Sequence, residues 1–432
     1  MRFGSGILRG DILRAAEFGV LSFHHGDNDV NRGGPPGFWE VRHGADASGF
    51  VIQQLTDELD GGHVFVRGHI PTRSPYLSNQ DALYRHAFPH LERLLLRIAA
   101  TRRLPALLPA YPYAFPLRRA PGPFDATAYV LRQSAHWSRR VLRRIAGRRY
   151  RWSVGYQAGD WRTAVLWKAR VIENPAGRFL ADPFVVTWQG QTCIFVEDYD
   201  YATAIGCIAA YVIEDGEARR VGVALAEPFH LSFPYVFEFE GQLYLCPESQ
   251  AAAEIRIYRC LEFPLRWTLC ATPMRGVDAV DTMIFRHGGK WWLATNIGRG
   301  SADEHYSELH LFSADHPLHG GWVPHPHNPV CIDSRKARNG GILRDGEVLF
   351  RIGQRQGLDQ YGRAVSLNRI ESLSETDYLE RTERSLSAGF VPRGVGLHHM
   401  HSNGAWTVFD FARYHRIALG SAADAATTRP YK

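Results

Sequence analysis

At 432 residues, with 45% hydrophobic and 12% aromatic side chains, the chain is long enough for two cores and has the composition of a folded globular protein. A formal net charge of +6 admits an anionic partner, but no run of 18 apolar residues exists, which excludes a membrane-spanning helix. The opening MRFGSGILRG lacks the apolar core of a secretion signal, and the six cysteines (193, 207, 246, 260, 270, 331) show no CxxC pairing. Reduced thiols in the cytoplasm are therefore expected, with no metal ion implied.

The first stretch with chemical content is 19–41, GVLSFHHGDNDVNRGGPPGFWEV. Val20, Leu21 and Phe23 read as the end of a buried strand of a parallel sheet, delivering His24, His25 and Asp27 to a crevice. Gly33, Gly34, Pro35 and Pro36 then force an irregular turn. Asp60 follows His24 by 36 residues, in Leu59-Asp60-Gly61-Gly62, closing a segment that reads strand then turn. A His and an Asp on neighbouring strand ends form a proton-transfer pair in outline, although the spacing also describes a hydrogen-bonded structural histidine.

Through Ser22-Phe23-His24 and Leu59-Asp60-Gly61-Gly62, the segment from Phe3 to about Arg97 resembles the formyltransferase family, which includes methionyl-tRNA formyltransferase and the sugar N-formyltransferases. That family's signature is Asn-x-His followed, some three dozen residues on, by Leu-Asp-x-Gly; Ser22 stands where it has asparagine. The resemblance implies an α/β domain over 1–103 that uses 10-formyltetrahydrofolate as co-substrate, with Gly6, Ile7 and Leu8 lining its pocket. It further implies that His24 polarises the tetrahedral oxyanion, Asp60 takes the amine proton and Ser22 supplies one hydrogen bond. A further strand-and-helix half precedes the equivalent of Phe3 in the family. The domain is thus expected to be partial, with an open sheet edge that either a partner chain covers or an upstream start of the coding sequence completes.

A helix led by Ser78 follows, with Leu83, Ala87, Leu91, Leu94, Leu95 and Ile98 at helical spacing. Six prolines between 104 and 124 mark a stiff linker. The basic run RQSAHWSRRVLRRIAGRRYR (132–151) reads as a solvated linker helix, with a membrane surface or nucleic acid as the other readings. The linker is set at 104–150, and no nucleic acid is expected as the protein's partner.

From about 150 one unit recurs five times: a strand, a glycine turn and a second strand. Gly190, Gly241, Gly289, Gly346 and Gly404 are separated by 51, 48, 57 and 58 residues, the period of a four-stranded propeller blade. The fold class is accordingly a multidomain chain, a partial α/β domain followed by an all-β five-bladed propeller over 151–420, with a tail at 421–432. Inner-strand ends of a propeller converge on one mouth, where Asp182, Glu248, Asp281 and His399 are candidate substrate-binding residues; carboxylates facing across a channel are the equipment of glycoside hydrolysis. Trp291, Trp292, Trp322 and Tyr361 offer faces for sugar stacking.

Through ADPF, FVEDY, HLSFPYVF, PES, FPLRW and LFSADHPLHGGWVPHPHNPV, region 170–415 resembles arabinanase-like glycoside hydrolases and, more closely, the amino-terminal propeller of plant glucosamine inositolphosphorylceramide transferases. The hydrolase resemblance implies a base at Asp182 and a tuning acid at Asp281, but Arg338-Asn339-Gly340-Gly341 occupies the place of its catalytic glutamate. Two readings result. In the first, a formyltransferase acts on an amino sugar or nucleotide-linked sugar, with a glycan held at the propeller channel. In the alternative, a carbohydrate-binding propeller, associated with glycoside hydrolysis or glycosyl transfer, carries a vestigial formyltransferase fragment.

Overall fold

The computed structural model describes residues 7–300 and 302–416. The chain divides into two compact units, one comprising Met1–Arg140, Ile332–Arg335 and Gln356–Gln360, the other comprising the rest. Among the described residues no helix is long and apolar enough to cross a membrane.

In chain order the first unit carries β1 (Leu21–His24), α1 (Phe38–His43), β2 (Ala47–Gln54), β3 (His63–Pro71), α2 (Tyr76–Thr101) and the start of α3 (Pro123–Ile145). Its sheet has the order β1-β2-β3 and is antiparallel throughout, with His24 opposite Val51 and Ala47 opposite Pro71. This overturns the parallel formyltransferase-like sheet expected from the His24 and Asp60 motifs. The physical reason lies at Leu59-Asp60-Gly61-Gly62. There the chain folds straight back from β2 into β3 as a hairpin, whereas a parallel pair needs a long crossover. Leu83, Ala87, Leu91, Leu94 and Ile98 of α2 pack on Phe50, Ile52, Phe65 and Ile70 of the sheet; Leu95 is exposed.

The second unit is built of five antiparallel sheets of four strands, the third with one short additional strand. Their first strands are Arg178–Trp188, Ser232–Phe239, Asp278–His287, Arg338–Asp345 and Met400–Ser402. Each touches the next, and the fifth touches the first, so they close a ring. In the first three blades the turn to the second strand has two residues: Gln189-Gly190, Glu240-Gly241 and Gly288-Gly289, all at positive φ. That is the mirror-image turn whose twist matches a hairpin, and it explains why glycine marks the repeat.

The fifth blade is composite. Trp406–Arg416 pairs along its whole length with Arg148–Ala158, whose outer neighbour is Arg170–Val171. Strands from the two ends of the propeller sequence thus fasten the ring, leaving no open edge between first and last blades. The seam is tight at Gly155: a Cβ there would lie 2.5 Å from the Phe409 ring. Gly155→Ala is expected to cost about 1–3 kcal/mol by overpacking, read from the shift of a denaturation midpoint.

Candidate functional site

The site begins with an irregularity repeated around the ring. In blades one to four the pairing of first and second strands slips by one residue, between Ala181 and Phe184, Ser232 and Tyr235, Val280 and Met283, and Asn339 and Ile342. These are β-bulges, which bend a strand and re-aim a side chain. The residue two places before regular pairing resumes is Asp182, Phe233, Asp281 or Gly340, and His398 stands at the same place before Met400 in the fifth blade. Asp182, Phe233 and Asp281 adopt φ of 49°, 43° and 49°, backbone strain for residues with a Cβ, stored together at one end of the channel. The second strand adds Glu197 opposite Ala181, Glu248 opposite Ser232 and Asn296 opposite Val280.

A cavity of about 110 Å³ opens at this end. Asp182, Glu197, Glu248, His230, His398 and Arg338 line it, with Trp152, Phe179, Tyr306 and Tyr361 as aromatic wall. One side is neutralised: Arg338 Nε donates to Asp281 Oδ2 at 2.6 Å and its guanidinium lies 3.9 Å from Glu248. Asp281 also accepts from Gln354 at 3.0 Å. The same guanidinium stands over the rings of Tyr306 and Tyr361 at 5.4 and 5.2 Å.

On the other side, among the described residues, no arginine or lysine pairs with Asp182 or Glu197. Asp182 Oδ1 and Glu197 Oε1 are buried and accept no hydrogen bond from the described residues. His398 approaches Asp182 with Nε2 at 3.8 Å, while its Nδ1 lies 2.5 Å from Asp410 Oδ2 and its ring stacks on Trp152 at 3.8 Å. Asp410 is an anchor: it accepts from the backbone N–H of Asp182, His398 and His399 at 3.1, 3.0 and 3.0 Å. It therefore fixes the first blade's bulge to the fifth blade. His230 Nδ1 accepts the Gly206 N–H at 2.8 Å, which leaves the neutral ring's proton on Nε2, 3.6 Å from Glu197.

The electrostatics follow from burial first and neighbours second. Burial, aided by Asp410 and Asp281 against the pull of His398, lifts the Asp182 carboxyl to about 7. Glu197 and Glu248 are pushed well above the ordinary range by burial and by the other carboxylates. Burial opposes charge on His398, but Asp410 and Asp182 outweigh it and raise the imidazole. Burial lowers His230 and His401 to about 4. The cavity thus holds protons that a bound cation would displace. Asp182, His398 and Asp410 also bring ligand atoms within 4.8 Å of one another, the donor set available to a metal ion.

Of the residues singled out in the sequence, Asp182 and Glu248 line this cavity, and Asp281 reaches it through Arg338. His399 lies behind Asp182, fully buried between Phe184 and Phe233, its Nδ1 3.9 Å from Asp182, and burial holds it well below the usual imidazole value. Tyr361 is in the wall, Trp291 lines a cavity of about 820 Å³ at the other end of the blades, and Trp292 is core. Glu197, His230, Asp410 and Trp152 were missed. Register finds the first: seven residues after the turn glycines stand Glu197, Glu248 and Asn296.

In the first unit His24 and Asp60 do meet, Nδ1 to Oδ1 at 3.4 Å. Both are spent on a loop: His24 Nε2 lies 3.1 Å from the Asn31 carbonyl and Asp60 Oδ2 accepts the Gly33 N–H at 2.8 Å. Ser22 donates to its neighbour's carbonyl, that of Phe23, at 3.1 Å. Ile7 is exposed and Leu8 half-buried, and Gly6 lies outside the described residues. All six cysteines are free.

A five-bladed propeller with an acid-lined mouth is thus the class that fold and site define. Residues 163–406 match the family described as glucosamine inositolphosphorylceramide transferase 1, N-terminal, and the chain belongs to that family. It is 36% identical over 321 residues to glucosamine inositolphosphorylceramide transferase 1 of Arabidopsis thaliana, covering 64% of this chain and 41% of the relative. It is 34% identical over 246 residues to the protein of that name from Oryza sativa subsp. japonica, covering 55% of this chain and 31% of the relative. The chain spans less than half the length of these curated relatives. Among solved structures, similarity extends to a family 117 glycoside hydrolase of Zobellia galactanivorans (15% identity, 61% of this chain and 90% of that one, TM-score 0.41). It extends also to a GH62 α-L-arabinofuranosidase catalytic domain of Coprinopsis cinerea (14%, 61% and 96%, TM-score 0.43).

These relationships overturn the formyltransferase reading in its activity and in 10-formyltetrahydrofolate as co-substrate. The family match lies on the propeller, and the antiparallel sheet offers no formyltransferase scaffold. The alternative, a carbohydrate-associated propeller, fits these findings.

Proposed function

We propose that the propeller is a carbohydrate-binding domain serving glycosyl transfer to inositolphosphorylceramide, and that its acid-lined mouth holds an amino sugar by its ammonium group. The relatives' name couples glucosamine with an inositolphosphorylceramide, which gives the substrate class. The observation that carries the reading is that two buried oxygens, Asp182 Oδ1 and Glu197 Oε1, accept no hydrogen bond from the described residues. A buried polar atom of this kind costs stability until a ligand satisfies it, and an ammonium satisfies carboxylates in particular. Trp152, Phe179 and Tyr361 supply the apolar faces a sugar ring needs. The volume suits part of one sugar ring.

Calorimetric titration with glucosamine, N-acetylglucosamine and glucose tests this. Glucosamine is expected to bind and the two neutral sugars to bind at least about tenfold more weakly. Equal affinities would remove the ammonium from the account.

The pH dependence has a defined sign. Asp182 keeps its proton below about 7, so affinity should rise as pH climbs through that value. It should fall again once the sugar amine deprotonates, giving a bell with its maximum at about pH 7–8.

A further inference from the structure

Helix α3 is mounted inside out. Phe124, Val130, Leu131, Trp137, Val141, Leu142 and Ile145 fall on one side of the helical wheel, and Asp125, Tyr129, Arg132, Gln133, His136 and Arg143 on the other. A helix on a globular domain normally buries its apolar stripe. Here the polar side faces the protein: Asp125 lies 3.9 Å from Arg42, the Tyr129 hydroxyl accepts the Tyr76 N–H at 3.1 Å, and His136 lies 3.1 Å from Asp359. Arg132, Gln133 and His136 line a small cavity with Val41 and Leu358. None of the helix's residues is fully buried, and Phe124, Leu131, Leu142 and Ile145 are 79, 66, 63 and 73% exposed.

Large apolar side chains gathered in one exposed stripe mark a docking surface. Charge selects what docks. From Arg132 to Arg151 there are eight arginines and no acid, and Arg139 and Arg144 border the stripe on its two sides. A leucine- and tryptophan-bearing face flanked by arginine is the composition of a helix that lies in the plane of a membrane, its apolar side among acyl chains and its cations at anionic headgroups. We propose that α3 docks this protein on the surface of a membrane containing anionic lipid. The inference rests on the helix alone and is independent of what the propeller mouth binds.

The test is flotation of the full chain with vesicles of phosphatidylcholine, pure or with about 30 mol% phosphatidylinositol. The protein is expected to float with the anionic vesicles and to be released as salt rises. Leu131→Glu with Leu142→Glu should weaken binding at least about tenfold. Arg139→Glu with Arg144→Glu should remove the preference for anionic over neutral vesicles. All four side chains are exposed, so thermal melting followed by circular dichroism should match the parent protein. Absence of flotation at millimolar lipid overturns the proposal, as does flotation unchanged in both variants. Concentration-dependent dimerisation abolished by the leucine substitutions, without vesicle binding, would assign the stripe to a second copy. Binding to duplex RNA without vesicle binding would assign the arginines elsewhere.

Discussion

Replacing Asp182 by Asn together with Glu197 by Gln is expected to weaken glucosamine binding at least about thirtyfold while leaving the fold intact. Both substitutions preserve shape and remove the ionisable oxygens that accept no hydrogen bond from the described residues. A buried charge pair broken on one side costs about 2–5 kcal/mol, which sets the size of the loss. Stability should move the other way. The Asp182 carboxyl is raised from 3.8 to about 7, so between those values the folded chain holds a proton that the unfolded chain releases. Folded stability is therefore lost as pH rises through that window. Asp182→Asn escapes this loss, and at pH 8 it should be more stable than the parent by on the order of 2–4 kcal/mol, with little difference at pH 4. Paired binding and denaturation curves at pH 8 check both statements.

The second large effect is expected at Arg338. Its guanidinium is the cation facing Asp281 and Glu248 in the cavity wall, and Asp281 is almost wholly buried. Arg338→Leu leaves that carboxylate with Gln354 as its side-chain donor and is expected to destabilise the chain by about 3–5 kcal/mol. Adding Asp281→Asn should recover most of the loss, because the two residues share one interaction. A double-mutant cycle in urea measures it; additive losses would show that Arg338 acts by packing on Tyr306 and Tyr361 instead.

The propeller was legible because its turns are chemically constrained. Each blade's first turn carries a glycine at positive φ, in the first three as part of a two-residue mirror-image turn, so glycine spacing counts the blades. The composite fifth blade was not legible, since its outer strands come from Arg148–Ala158 and Arg170–Val171, far from its glycine turn in sequence. Asp182, Glu248 and Asp281 could be placed at the channel mouth because they border recognisable apolar runs. Glu197 needed the register, and Asp410 needed the three backbone N–H groups it collects from two blades, a tertiary fact.

The first unit shows the opposite case. The distance in sequence between His24 and Asp60 correctly implied a contact. It did not distinguish a parallel crossover from a hairpin, which brings the same residues together for a different purpose. A motif of two residues and a spacing fixes proximity; the direction of the strands decides the chemistry.

Whether the acid-lined mouth is a sugar site is decided by where a bound sugar sits. A crystal structure of the protein soaked with glucosamine tests it most directly. A sugar ring is expected against Trp152 and Tyr361, its ammonium within about 3 Å of Asp182 and Glu197. A ring at the opposite end of the blades, near Trp291, with the acid-lined mouth unchanged, would contradict it.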